Sequence, residues 1–251
     1  MKKFVLPNDY PDMSSSLMHI YLIEAGPRLL AGMSEESSAH AEQFLREMGV
    51  NILLNKRVVD YRDHKVVLED GTEIATRTFI WVSGVTGVTI GNLDASLIGR
   101  GGRIKVDSFN RVEGMNNVFA IGDQCIQLAD ENYPNGHPQL AQVAIQQGEL
   151  LAKNLIRMEK GQEMKPFHYR NLGSMATVGR NRAVAEFSKV KMQGWFAWVM
   201  WLVVHLRSIL GVRNKVIVLL NWVWNYFTYD QSMRMIVYAR KAKEIRDREK
   251  V

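Results

Sequence analysis

The sequence predicts an α/β fold followed by a separate apolar and basic helical segment. Three observations carry this. Residues 18–54 give strand, helix and strand signals in turn, which implies a parallel sheet, because parallel neighbours need a crossover connection. An apolar run ending in Gly122 and Asp123 is followed, fifteen residues after the aspartate, by a glutamine-rich helix signal led by Pro138. From Gly194 onward the composition shifts to long apolar runs studded with tryptophan and flanked by bases.

Residues 1–17 read as loop, with turn signals at Pro7-Asn8-Asp9 and Pro11-Asp12 and a polar serine run behind them. Residues 18–23 form a strand ending at Glu24. Ser34 can cap a helix whose first turn holds Glu35 and Glu36, and that helix runs to Met48 and stops at Gly49. Residues 50–54 are the second strand. Residues 58–61, 66–69 and 72–75 form a meander, with Asp70-Gly71 as a tight turn. Residues 79–82 read as a buried strand ending at Ser83-Gly84. The stretch 85–116 is loop-rich, with a short strand at 103–106. A strand at 118–121 comes next, then a helix from about Pro138 to Glu159. Residues 175–178 and 183–187 pair as a hairpin through Gly179-Arg180-Asn181.

With 251 residues, 47% of them hydrophobic and 23% charged, the chain has material for one or two ordinary globular domains. A single cysteine, Cys125, excludes an internal disulfide framework and a paired-thiol redox centre, so its role is structural. No Cys/His cluster supports a metal site. Residues 1–8 lack the apolar core of a signal peptide.

The net charge of +6 is uneven. Residues 189–251 hold twelve Lys/Arg and four Asp/Glu, a net of +8, which leaves the rest near −2. Five of the six tryptophans also fall here: Trp195, Trp198, Trp201, Trp222 and Trp224. Such a segment calls for an acidic surface, either an anionic membrane or nucleic acid. The aromatics sit inside apolar runs and not between bases along a groove, which disfavours nucleic acid. The apolar runs are shorter than the roughly 18–20 residues that span a bilayer. His205, Arg207, Arg213 and Lys215 separate them, so a membrane interface suits them best. A buried hairpin of core helices is the competing reading, with His205 as a packing or interface residue.

Several residues have chemistry of their own. Gly122, without a side chain, lets the backbone approach a phosphate-bearing chain closely, and the Asp123 carboxylate can accept from a hydroxyl. A helix starting at Pro138 aims N–H groups and a partial positive charge at whatever precedes it. Glu24, at a strand end, can bind ribose hydroxyls and repels a 2′-phosphate. Gln142 and Gln146 share a helix face by their spacing, where their neutral amides can hydrogen-bond a partner or stand exposed on an amphipathic helix. His137 shapes the loop before Pro138.

These pieces, in this order, resemble the type II NADH:quinone oxidoreductases. The likeness rests on 23–30, 80–85, 102–107 and 118–123, and on the helix motif 141–148. It continues through Pro166-Phe167-His168-Tyr169, the 173–180 segment, Ala183-Val184-Ala185 and the tryptophan-rich tail. The resemblance implies an incomplete two-dinucleotide-binding, Rossmann-like flavoprotein fold. It is divided into 1–83 (part of an NADH-binding domain), 84–188 (part of an FAD-binding domain with the quinone-site helix) and 189–251 (a membrane-associating tail). It implies FAD and NADH as cofactors, and FAD-dependent oxidation of NADH with electrons passed to a membrane quinone, without proton pumping. Glu24, Gly84, Gly122, Asp123, Gln139, Leu140 and Ala141 would bind cofactor, and Gln142 and Gln146 the quinone. Trp195, Trp198, Trp201, Trp222 and Trp224 would meet the membrane. No side chain need act as a nucleophile, because the cofactors carry the chemistry. Implied partners are quinone and an anionic membrane surface on the cytoplasmic face, not nucleic acid, with a homodimer left open. One departure is large: no G-x-G-x-x-G loop follows a strand. The chain matches the C-terminal portion of the family, and alone it is expected not to hold FAD stoichiometrically. The rival readings are a soluble FAD/NAD(P)H-dependent reductase and a non-catalytic membrane-binding fragment.

Overall fold

The computed structural model describes residues 12, 14–88, 90–188 and 190–228, so most of the loop expected at 1–17 lies outside it. The chain forms two compact units. One gathers residues up to 57 with 175–186 and those from 190 onward; the other holds 58–174 and 187–189.

The first unit opens with β1 (Ile20–Ile23), α1 (Glu35–Glu47) and β2 (Val50–Leu53). β1 and β2 pair in parallel, Ile20 opposite Val50 and Ile23 opposite Leu53, as the crossover requires. Local chemistry sets the helix limits. The Ser34 hydroxyl accepts from the Ser37 N–H, Glu35 and Glu36 face the positive helix end, and Gly49 takes φ +81° beyond it. The hairpin β8 (Ser174–Gly179) and β9 (Arg182–Phe187) turns at Asn181 (φ +61°), and β10 (Val190–Gln193) completes a three-stranded sheet in the order β10-β9-β8. Small apolar residues allow close packing there: Ala183, Val184 and Ala185 are fully buried. Glu186 ties this sheet to α1 by accepting from the Ser34 N–H at 2.9 Å and from its hydroxyl. The last described elements of the unit are α3 (Gly194–Ser208) and α4 (Val212–Thr228). No helix among the described residues is long and apolar enough to cross a membrane.

The second unit begins with the antiparallel meander β3 (Val58–Arg62), β4 (Lys65–Leu68) and β5 (Glu73–Ala75), with Gly71 at φ +84° in the turn. A parallel pair, β6 (Ile104–Val106) and β7 (Cys125–Gln127), carries a core of Ile104, Val106, Val112, Ala120 and Cys125. Helix α2 (Ala141–Glu159) packs Val143 with Phe167 and Tyr169.

Three elements differ from the sequence expectation. The 118–121 run makes one isolated bridge, Phe119 to Arg111, while Ala120 N–H bonds back to Asn110 O at 3.0 Å. The chain is folded onto its own preceding loop, and the ladder to β6 is made instead by Cys125–Gln127, past the turn at Gly122. Residues 79–82 are not a strand. Trp81 is 60% and Val82 83% exposed, and no strand among the described residues pairs with them. An apolar run becomes a sheet strand only where a neighbour takes up its backbone groups. Finally, α2 starts at Ala141, not Pro138. The Pro138 carbonyl accepts the Leu140 N–H at 2.9 Å, and Leu140 is extended (φ −131°, ψ 144°) in the capping position, so the proline shapes a turn ahead of the helix.

Candidate functional site

A connected polar arrangement lies where the Gly122 turn meets α2. Gly122 has φ +65°, and a Cβ there would come within 3.2 Å of the Ala144 Cβ. Both the left-handed backbone and the close helix approach therefore require glycine. Its N–H donates to the Gln147 Oε1 at 2.7 Å. Gln147 is 1% exposed, and its amide also meets the Cys125 thiol. Burial pushes the Cys125 thiol up, so the sulfur stays protonated and inert. Asp123 is exposed in the short 3-10 turn Gly122–Gln124, and its backbone carbonyl accepts from the Gln139 amide at 3.2 Å. Glycine turn, aspartate and pre-helix segment are thus joined directly. The first bonds into α2 come from the Val143 and Ala144 N–H groups to Leu140 O, so the Ala141 and Gln142 N–H groups stand before the first intrahelical bond, at the positive helix end.

Gln142 and Gln146 share a face, as their spacing predicts, but both amides are engaged. Gln142 donates to Gly173 O at 3.0 Å and accepts from Leu172 N–H at 3.1 Å. Gln146 donates to Arg170 O at 2.9 Å and accepts from Arg170 N–H at 3.0 Å. Asn154, two turns on, does the same with both backbone groups of Lys165, at 2.8 and 2.9 Å. The three side-chain amides imitate the edge of a strand. They hold the segment 165–173 antiparallel along the helix, satisfying backbone groups that no sheet takes up. Each glutamine amide has two N–H donors, and among the described residues one of them is used on each.

Beneath the loop before α2 lies a buried pair, His137 Nε2 to Asp130 Oδ2 at 3.0 Å. The His137 ring is surrounded by Tyr133, Phe167 and Tyr169. Its carbonyl accepts from the Arg103 guanidinium at 3.1 Å. The hydrogen bond from His137 holds the Asp130 carboxyl below the usual range. His137 therefore shapes the loop, as its place before Pro138 suggests, by anchoring both its ring and its carbonyl.

Glu24 lies in the other unit, at the carboxyl ends of β1 and β2, the end at which open α/β sheets bind ligands. One carboxylate oxygen accepts the Gly26 N–H at 2.7 Å, which closes the turn after β1. Gly84 (φ +77°) is exposed, with no atom within 4 Å of a Cβ placed there. The five tail tryptophans divide. Trp195 and Trp224 are exposed, whereas Trp198, Trp201 and Trp222 are half-buried and turned toward aromatic neighbours. His205 stacks on Trp201 at 3.8 Å, a packing role. Among the described residues no three His, Cys, Asp or Glu side chains are grouped as for a metal ion.

Sequence reasoning passed over Gln147, Asn154 and Asp130. The first two were within reach: Val143, Gln147 and Asn154 recur at helical spacing on the buried face, where a polar residue needs a partner. Asp130 carries no local signal.

The chain is similar to known proteins along most of its length. Residues 12–148 match the pyridine nucleotide-disulphide oxidoreductase family, and the chain belongs to it. Residues 171–229 match the NDH2 C-terminal domain, which narrows the class to the type II NADH:quinone oxidoreductases. One relative is the type II NADH:quinone oxidoreductase NdhA of Mycobacterium tuberculosis, 32% identical over 94% of this chain and 52% of its own length. Another is the mitochondrial internal alternative NAD(P)H-ubiquinone oxidoreductase A1 of Arabidopsis thaliana, 32% identical over 83% of this chain and 44% of its own. The fold resembles that of NDH2 from Plasmodium falciparum, solved in complex with NADH, with a TM-score of 0.80 at 18% identity over 90% of this chain and 61% of that one. The chain spans about half the length of the curated relatives it matches.

Proposed function

We propose that this chain forms the flavin-contacting, quinone-contacting and membrane-contacting part of an enzyme that oxidises NADH and reduces a membrane quinone. The observation that carries the reading is the junction at Gly122. A left-handed glycine, the Asp123–Gln139 link and the open N-terminus of α2 meet at one place, and two glutamines follow on the same helix. These residues fit FAD. Gly122 sets the turn that brings Asp123 beside α2, the Asp123 carboxylate is exposed for a hydroxyl, and the Gln139 and Ala141 N–H groups with the positive helix end are offered to an electron-rich ring, whereas the Leu140 N–H is taken by Pro138 and leaves Leu140 a shaping role. FAD, when bound, supplies hydride acceptance from NADH and onward electron transfer. Gly84 adds an unobstructed backbone turn. Glu24 holds its turn with one oxygen and keeps the other for the adenosine ribose of NADH, where its charge disfavours a 2′-phosphate. Gln142 and Gln146 each direct a remaining amide N–H to a quinone carbonyl. The tail places the site at an anionic membrane surface, on the cytoplasmic face and without crossing it. As the family resemblance implies, the proposed reaction pumps no protons.

The test joins the chain to the preceding half of a family member, which supplies the two glycine phosphate loops. NADH oxidation is then followed with a long-tailed quinone in vesicles and with a small soluble acceptor. Gln146→Ala should lower quinone reduction and leave the soluble acceptor and vesicle binding unchanged. Equal loss with both acceptors would remove the glutamine face from the quinone site.

A further inference from the structure

The first unit contains a cavity of about 870 Å³ between the hairpin turn at 177–180 and the facing sides of α3 and α4. Its size falls within the range of small-molecule sites, roughly 300–1,000 Å³. Its walls include Trp198, Trp201, Leu202, Leu206, Trp222 and Tyr226. Trp198 lies 5.6 Å from Tyr226 and Trp201 6.3 Å from Trp222, ring to ring, so the two helices run antiparallel along the hollow.

Helix α3 is apolar on more than one side. Phe196 and Met200 are exposed away from the cavity, whereas Trp198, Trp201, Leu202 and Val203 line it. A helix lying in a membrane interface needs one apolar face. The inner face of α3 is additional, and it borders an open apolar hollow. Besides the Tyr226 hydroxyl and the indole N–H groups, the polar side chains described at this hollow are Thr177, Asn225 and Arg180, whose guanidinium donates to Asn225 O at 3.0 Å and lies 4.7 Å over the Tyr226 ring. At the other end, Leu206 brings the cavity to the α3–α4 turn, which is flanked by Arg207, Arg213 and Lys215. A long hydrocarbon fits the walls, and a negative head group fits the bases.

We infer that this cavity takes the acyl chain of an anionic membrane lipid, with the head group at the α3–α4 turn. This rests on the membrane reading above but differs from it, because the lipid enters the protein while the outer face of α3 contacts the membrane. The chain then binds one lipid stoichiometrically in addition to adsorbing on a surface.

The tryptophans make this measurable. The full chain is titrated in buffer with a fatty acid brominated at mid-chain, below its micelle concentration, while tryptophan emission is followed. Bromine quenches rings it touches, so a saturable loss at one molecule per chain is expected. Leu202→Phe and Leu219→Phe together, which narrow the hollow, should weaken this binding tenfold or more while thermal midpoint and vesicle co-sedimentation stay at native values. A brominated fatty alcohol has no negative charge to offer the turn, so it should bind about fivefold more weakly for each base that pairs with the carboxylate. Native co-sedimentation with anionic vesicles, without saturable quenching or with equal quenching in the filled variant, overturns the cavity and leaves the membrane reading standing. No co-sedimentation by the native chain overturns the membrane reading and the lipid source with it. Displacement of the fatty acid by an equal or lower concentration of a prenylated quinone overturns the lipid in favour of the quinone tail.

Discussion

Removing one rung at a time from the amide ladder should release the 165–173 segment in a definite order. Each rung consists of two hydrogen bonds between a side-chain amide and backbone. A typical bond contributes about 0.5–1.5 kcal/mol net, so a rung contributes about 1–3 kcal/mol. Burial decides where in that range each falls. Asn154 is 0% exposed, whereas Gln142 and Gln146 are only partly buried, and water can replace what they give. Asn154→Ala therefore belongs near the upper end and Gln146→Ala near the lower. Hydrogen exchange reads these rungs directly, because the donors are backbone amides: Lys165 for Asn154, Arg170 for Gln146 and Leu172 for Gln142. At 1.4 kcal/mol per tenfold, Asn154→Ala should speed Lys165 exchange by about 100-fold and Gln146→Ala should speed Arg170 exchange by about fivefold. Gln146→Glu separates the two bonds, since a carboxylate still accepts from the Arg170 N–H but cannot donate to its carbonyl. Arg170 should then stay protected while overall stability falls. Unchanged Arg170 exchange in Gln146→Ala, or a larger effect at Arg170 than at Lys165, would refute the ladder.

Gln147→Leu keeps volume but strands the Gly122 N–H, so urea denaturation should show a loss of about 1–3 kcal/mol; a neutral result would mean that water serves Gly122 as well. Asp130 contributes to acid stability. Its folded pKa is depressed by His137, so its contribution is complete above the ordinary aspartate value of about 3.9 and is lost as pH falls through the folded value. Asp130→Asn should lack that component of the acid transition, and an identical acid limb in a pH-dependent melting series would contradict it. Cys125, buried and held as a thiol, should resist alkylation in native buffer and react one-to-one once unfolded; rapid native labelling, read by mass spectrometry, would show the site open. In the joined enzyme, Glu24→Ala should raise the NADH Michaelis constant and narrow the preference over NADPH, and unchanged kinetics with both nucleotides would make Glu24 a turn residue only.

Elements with local causes were legible. Helix α1 is bounded by its own serine cap, acidic first turn and terminal glycine, and it ends within a residue of where those signals put it. The β3–β5 meander follows Asp70-Gly71 in the same way. Residues 79–82 and 118–121 failed for the opposite reason. Both have the right side chains for a strand, but pairing is decided elsewhere in the chain: the first finds no partner strand among the described residues and the second folds back on Asn110. Pro138 misled by three residues because proline suits a helix start and the turn ahead of one equally well.

The candidate site shows the same division at finer grain. That Gln142 and Gln146 face one way follows from their spacing; what they face, backbone some 24–31 residues downstream, does not. Gln147 is one position from Gln146, yet it turns inward to hold Gly122, a consequence of 100° of helical rotation that a residue count can supply only once the buried face is known. The tail carries this furthest. Ten successive apolar residues from Trp195 are consistent with a membrane face or with a core, and composition alone leaves both open. In the structure Phe196 and Met200 turn outward and Trp198 and Leu202 turn toward the hollow. The two readings of the tail are therefore properties of opposite sides of one helix, and a substitution at Phe196 should weaken membrane adsorption where one at Leu202 should not.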